Sequence, residues 1–154
     1  MIQVLLAEDN DADVYLIREA LREHGVVCEL RVAPDGQEVL QALTGASANV
    51  SELKLIILDL NLPRHDGIEI LERLRDTGLR HIPVVVLTSS DSQRDRDMAI
   101  QLGAVRFLRK PSELEQFLSL GAVFKELLLG ESKSGESKAG ESNAGESKAV
   151  AESA

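Results

Sequence analysis

Two stretches of this chain, Leu55–Leu58 ("LIIL") and Val84–Leu87 ("VVVL"), are apolar without interruption. A strand with one face in water alternates apolar and polar residues. A strand with no alternation is covered on both faces, as in a parallel sheet between two layers of helices. Between the two runs lies "IEILERLRD" (68–76), whose Leu71 and Leu74 fall at helical spacing. Strand, helix and strand in that order call for a crossover connection, and crossovers join parallel strands.

The same rhythm repeats five times over the first 128 residues. Strands are expected at 2–7, 26–33, 55–58, 83–88 and 105–108, and helices at 12–24, 37–43, 68–76, 92–102 and 112–129. Gly25 and Gly103 stop two of the helices, "PDG" (34–36) marks a turn, and Asn10 or Asp11 caps the first helix. The class is therefore α/β, with one doubly wound parallel sheet covered on both faces. In such sheets ligands bind beyond the carboxyl ends of the strands.

Composition narrows the function. The formal charge is −9, so the clustered Lys and Arg needed to replace phosphate counterions are missing, and DNA binding is not expected. No apolar run approaches the ~18 residues of a membrane span, and the expectation is a soluble, cytoplasmic protein. The one cysteine, Cys28, can form neither an internal disulfide nor a Cys-based zinc site; its alternating surroundings read as a small core residue. From Gly130 a five-residue repeat, G-E-S-x-x, replaces the alternation. A period of five keeps no face on a helix of 3.6 residues per turn. The chain thus divides into a folded domain, 1–129, and a low-complexity tail, 130–154, expected to be disordered.

Polar residues follow the strands. Strand one ends in Glu8 and Asp9, strand three in Asp59 with Asn61 two places on, strand four in Thr88 and Ser89, and strand five in Lys110 before Pro111. Singly, an Asp after a strand is a turn former or cap, Thr88 a strand residue and Lys110 a surface charge. Together they converge on one sheet edge. Carboxylates a few ångströms apart raise one another's pKa unless a cation sits among them. All-oxygen donors suit a hard ion such as Mg²⁺. With that ion and Lys110 nearby, Asp59 stays ionised and can act as a nucleophile toward a phosphoryl group.

The stretches "LLAEDN" (5–10), "IILDLNLPRHDG" (56–67), "IPVVVLTSS" (82–90) and "GAVRFLRKP" (103–111) resemble, in order and separation, the receiver domains of two-component response regulators. The resemblance covers residues 1 to about 128 and implies a flavodoxin-like (βα)5 fold with strand order 2-1-3-4-5. It implies that Asp59 accepts the phosphoryl group from a sensor histidine kinase. Asp9, Asp59 and the backbone carbonyl of Asn61 then hold Mg²⁺, and Glu8 acts through water. Lys110 pairs with the phosphoryl oxygens, aimed by a cis bond to Pro111. Thr88 and Phe107 match the switch pair that alters the face of helix four, strand five and helix five. That face is a candidate surface for a homodimer. The wording "DLNLPR.DG" and the helix "DNDADVYLIREAL" are closest to free-standing receivers of phytochrome-type kinases. Output then passes to an unknown downstream protein, and the chain catalyses only its own phosphorylation and dephosphorylation.

Two other readings use the same residues. A degenerate receiver would bind partners without phosphorylation, but such chains lack acids or the Lys. A haloacid-dehalogenase-type phosphohydrolase also uses Asp, Mg²⁺, Thr or Ser, and Lys, but it needs D-x-D after the first strand. Here the pair is Asp59 and Asn61 on the third strand, and Asn61 cannot transfer a proton.

Overall fold

A computed structural model describes residues 1–46 and 48–130. The strands are β1 (Gln3–Ala7), β2 (Glu29–Ala33), β3 (Leu53–Leu58), β4 (Val84–Thr88) and β5 (Arg106–Arg109). Between them run α1 (Asp11–Glu23), α2 (Gly36–Thr44), α3 (Gly67–Arg75) and α4 (Gln93–Gln101), and α5 (Leu114–Leu118) and α6 (Leu120–Leu129) follow β5. All strand pairs are parallel, in the order β2-β1-β3-β4-β5. The expected doubly wound topology is present. Met1–Ala122 form one compact unit, which contains the whole sheet, and the described residues beyond it, 123–130, are the end of α6 and Gly130. The repeat tail from 131 onward lies outside the described residues.

The uninterrupted apolar runs are explained by the layers. Successive side chains of a strand point to opposite faces. On one face Leu5, Ile56, Leu58, Val84 and Val86 join a core with Val39 and Leu43 of α2, Ile70, Leu71 and Leu74 of α3, and Ala99 of α4. The alternate residues Val4, Leu6, Leu55, Ile57, Val85 and Leu87 are buried as well, as are Ile17, Ala20 and Leu21 of α1. Burying each such aliphatic side chain contributes about 1.5–3 kcal/mol, so β1, β3 and β4 form a stiff centre.

Helix starts are fixed by side-chain caps just past the strand ends. Asn10 Oδ1 accepts from the Asp13 N–H (3.0 Å), Asp35 from Glu38, Asp66 from Glu69, and Ser92 from Asp95. Of the two capping candidates for α1, Asn10 is the one used. Gly67 opens α3 where no larger residue fits: a Cβ there would stand 2.6 Å from Leu60 Cα and 2.9 Å from the Asp59 carbonyl oxygen.

Two expectations need correction. The segment 112–129 is not one helix, because it breaks at Ser119, whose hydroxyl donates to the Gln116 carbonyl at 2.7 Å and competes with the helical ladder. Cys28 is half-buried and precedes β2, whose first residue is Glu29, so it is not a core residue.

Gly67→Ala is expected to cost about 1–3 kcal/mol by overpacking against the Asp59–Leu60 backbone. Asp66→Ala, which removes only the cap, should cost about 1 kcal/mol. Urea unfolding measures both, and a Gly67→Ala protein as stable as wild type would show that the close approach is not constraining.

Candidate functional site

The site is built by letting the backbone ladder run one residue past the strands. The Glu8 N–H donates to the Ala33 carbonyl (3.1 Å), Asp59 to Ala7 (3.0 Å) and Lys110 to Thr88 (2.8 Å). Glu8, Asp59 and Lys110 therefore spring from backbone that is still held by the sheet. Glu8, Asp59 and Thr88 are buried, whereas Asp9 is exposed. Thr88 is the last residue of β4, within the expected strand.

One ammonium organises the acids. Lys110 Nζ lies 2.8 Å from Glu8 Oε1, 2.8 Å from Asp13 Oδ2 and 2.9 Å from Asp59 Oδ2. An ammonium has three N–H donors, and three carboxylates take them. Burial alone would pull the Lys110 pKa down, but the hydrogen bonds to Asp13, Glu8 and Asp59 outweigh it and push the pKa up. For Glu8 the balance goes the other way. Burial raises its pKa, and the Lys110 ammonium offsets only part of that rise.

The remaining polar atoms are also held. Asp59 Oδ1 accepts from the Asn61 N–H at 3.0 Å, and Glu8 Oε2 from the Asn10 N–H at 3.2 Å. Thr88 Oγ1 accepts from Asn61 Nδ2 (3.4 Å) and from the Ser90 N–H (3.3 Å). With two bonds accepted, the hydroxyl keeps its own proton available to donate.

Oxygens of Glu8, Asp9 and Asp59 lie within 4.8 Å of one another. Two buried carboxylates stand behind an exposed one, which leaves an open side for water. This hard, all-oxygen donor set fits a divalent cation that prefers oxygen ligands.

The structure brings Glu8, Asp9, Asp59, Asn61, Thr88 and Lys110 to one end of the sheet. Phe107 stands apart on β5, half-buried, with the Arg96 guanidinium 5.2 Å from its ring centroid. The bond to Pro111 is trans, not cis as the resemblance implies. Trans is the lower-energy form, and Lys110 reaches its three carboxylates with it. Asp13 was not foreseen from the sequence. It follows the Asn10 cap by three residues, and its acidity there reads equally well as a favourable charge at a helix N-terminus.

Lys110→Ala would leave three carboxylates side by side without their cation, and about 3 kcal/mol of destabilisation is expected at pH 7. The folded-state pKa of Lys110 lies above its ordinary 10.5, so its stabilisation is complete below pH 10.5 and is lost as pH rises beyond it. The stability gap between wild type and Lys110→Ala should therefore begin to close above pH 10.5 in urea unfolding. A gap independent of alkaline pH would refute this account of the pairing.

The response regulator receiver domain family matches residues 4–120. Response regulator Rcp1 of Synechocystis sp. is 35% identical over 120 residues, which cover 76% of this chain and 82% of Rcp1. A crystal structure of the Mn(2+)-bound form of Rcp1 superposes with a TM-score of 0.74 at 30% identity, covering 82% of this chain and 93% of that one. The phosphorylated cyanobacterial phytochrome response regulator RcpA superposes with a TM-score of 0.76 at 37% identity, over 83% of this chain and 94% of that one. Transcriptional regulatory protein TrcR of Mycobacterium tuberculosis is 35% identical over 118 residues, 77% of this chain but 43% of TrcR.

Proposed function

The chain belongs to the response regulator receiver family, and we propose that it works as a free-standing receiver that takes a phosphoryl group on Asp59 from a sensor histidine kinase. The observation that carries this reading is the Lys110 ammonium 2.9 Å from Asp59 Oδ2, beside a carboxylate cluster suited to a divalent ion. An Asp59 carboxylate oxygen attacks the phosphorus of a phosphohistidine. The new O–P bond forms as the P–N bond breaks, and its electron pair stays on the imidazole nitrogen, which takes a proton from water. Lys110 and the Thr88 O–H meet the charge that develops on the phosphoryl oxygens. Mg²⁺ on Asp9, Asp59 and the Asn61 carbonyl, with Glu8 through water, would supply further positive charge there. The Mn(2+)-bound form of Rcp1 is in keeping with a divalent ion in this chain. Buried strands behind Asp59 hold the nucleophile still.

Phosphorylation is read out by Thr88 moving toward the new group and Phe107 turning inward from beneath Arg96. The face of α4, β5 and α5 changes with them. Exposed apolar Ile100 on α4, Val105 just before β5 and Leu114 on α5 support a protein-binding or homodimer surface there. The upstream kinase is of the phytochrome type, in keeping with the likeness to RcpA. Output goes to a protein rather than to DNA, in keeping with the net charge of −9. No helix among the described residues is long and apolar enough to cross a membrane. The complete set of Asp9, Asp59, Thr88 and Lys110 at one sheet edge supports phosphorylation over a degenerate, phosphorylation-independent role. Asn61 in place of an acid speaks against the phosphohydrolase.

With a small phosphodonor and Mg²⁺, the intact protein should gain the mass of one phosphoryl group, and Asp59→Asn should gain none. Mass added at a serine with Asp59 untouched would overturn the assignment. Millimolar Mg²⁺ should also raise the melting temperature, because the ion binds the folded acidic cluster in preference to the unfolded chain. Asp9→Ala should remove that shift, and an equal shift in both proteins would place the metal elsewhere.

A further inference from the structure

Lys110 and a divalent cation claim the same oxygens. Glu8 and Asp59 pair with the ammonium and also belong to the cluster that can hold a metal, whereas Asp13 pairs with the ammonium alone. A doubly charged ion among Glu8, Asp9 and Asp59 draws their oxygens to itself and repels the ammonium. Of the three bonds Lys110 makes, only the one to Asp13 is then undisputed. Asp13 is well placed to keep it. Its backbone N–H is held by the Asn10 cap at 3.0 Å, which fixes the first turn of α1. The Asp13 and Lys110 side chains are 21% and 11% exposed, so their charged hydrogen bond is largely shielded from water.

We propose that Asp13 is a positioning residue: it receives Lys110 when a divalent cation takes over Glu8 and Asp59, and holds the ammonium beside Asp59 for the incoming phosphoryl oxygens. The exchange of Lys110 for the cation rests on geometry alone, and only the phosphoryl step rests on the function proposed above. Without the Asp13 carboxylate, the ammonium keeps Glu8 and Asp59 as its only charged partners among the described residues, and the metal has to displace it into water. The effect of Asp13 on metal binding therefore runs through Lys110 rather than through its own charge.

The test is a Mg²⁺ titration followed by thermal melting in wild type, Asp13→Asn, Lys110→Ala and the double variant, with Lys110→Gln in place of Lys110→Ala if the latter does not melt cooperatively. Asp13→Asn should need about tenfold more Mg²⁺ for half of the full stabilisation, the low end of what a charged hydrogen bond contributes. In the Lys110→Ala background the same substitution should change the midpoint by less than about twofold, the size expected of uncoupled sites. An equal change in both backgrounds, or none in either, overturns the exchange. At saturating Mg²⁺ a small phosphodonor should label Asp13→Asn about tenfold more slowly than wild type, a modest loss for a misplaced group. An unchanged rate overturns the positioning role. If wild type takes no phosphoryl group on Asp59, the phosphoacceptor reading falls, while the Mg²⁺ midpoints still decide the exchange.

Discussion

Parallel strands that end together bring their last side chains together, and here those side chains include Glu8 and Asp59, both buried. Two carboxylates withdrawn from water in one place are strongly unfavourable unless a cation joins them. Lys110 is that cation, and the rest of the architecture follows from placing it. β5 has to pair with β4 so that Lys110 emerges at the same edge, and the Lys110 N–H is still tied to the Thr88 carbonyl at 2.8 Å when it does. The helical layers on both faces keep the central strands dry enough for the pairing to matter. The same group that makes the resting cluster tolerable is the one that has to give ground to a divalent ion. A single ammonium thus couples stability to metal binding.

Much of this was readable from the residues. The unbroken runs at 55–58 and 84–87 required a sheet covered on both faces, and the structure has one. The acids after β1 and β3 and the Lys after β5 were identifiable because parallel strands share a direction, so all their carboxyl ends fall on one side. Asp13 was hidden for a physical reason. Its partner stands 97 residues away, and a side chain in the first turn of a helix carries no mark of which way it reaches. The break at Ser119 was hidden too, since a hydroxyl can point to solvent or bond back to its own helix, and spacing alone does not say which. Cys28 stands just before β2, whose first residue is Glu29, and alternation alone does not say where along such a run the strand begins. The bond to Pro111 was expected as cis from family likeness, not from any property of the residues, and it is trans.

Rigid and adjustable parts are separated along the same sheet. Thr88 ends β4 and Asp59 follows β3 by one residue; both are buried, with both Asp59 oxygens in hydrogen bonds. Phe107, on the edge strand β5, is only half-buried, and its neighbour Arg96 is a long, flexible side chain held by a cation–π contact of about 0.5–1 kcal/mol at an exposed site. A change at the strand ends therefore meets little resistance at β5 and much at β3.

The wide separation of Asp13 and Lys110 in the chain has a consequence for how the molecule is made. A polypeptide growing from its N-terminus presents Glu8, Asp9, Asp13 and Asp59 well before Lys110 exists. Until Lys110 is present the acids that follow β1 and β3 have no ammonium between them, and their mutual repulsion opposes the pairing that the apolar core favours. The ammonium that neutralises the cluster enters the chain only with the residue after β5. One lysine far along the chain thus sets the charge balance of acids laid down long before it.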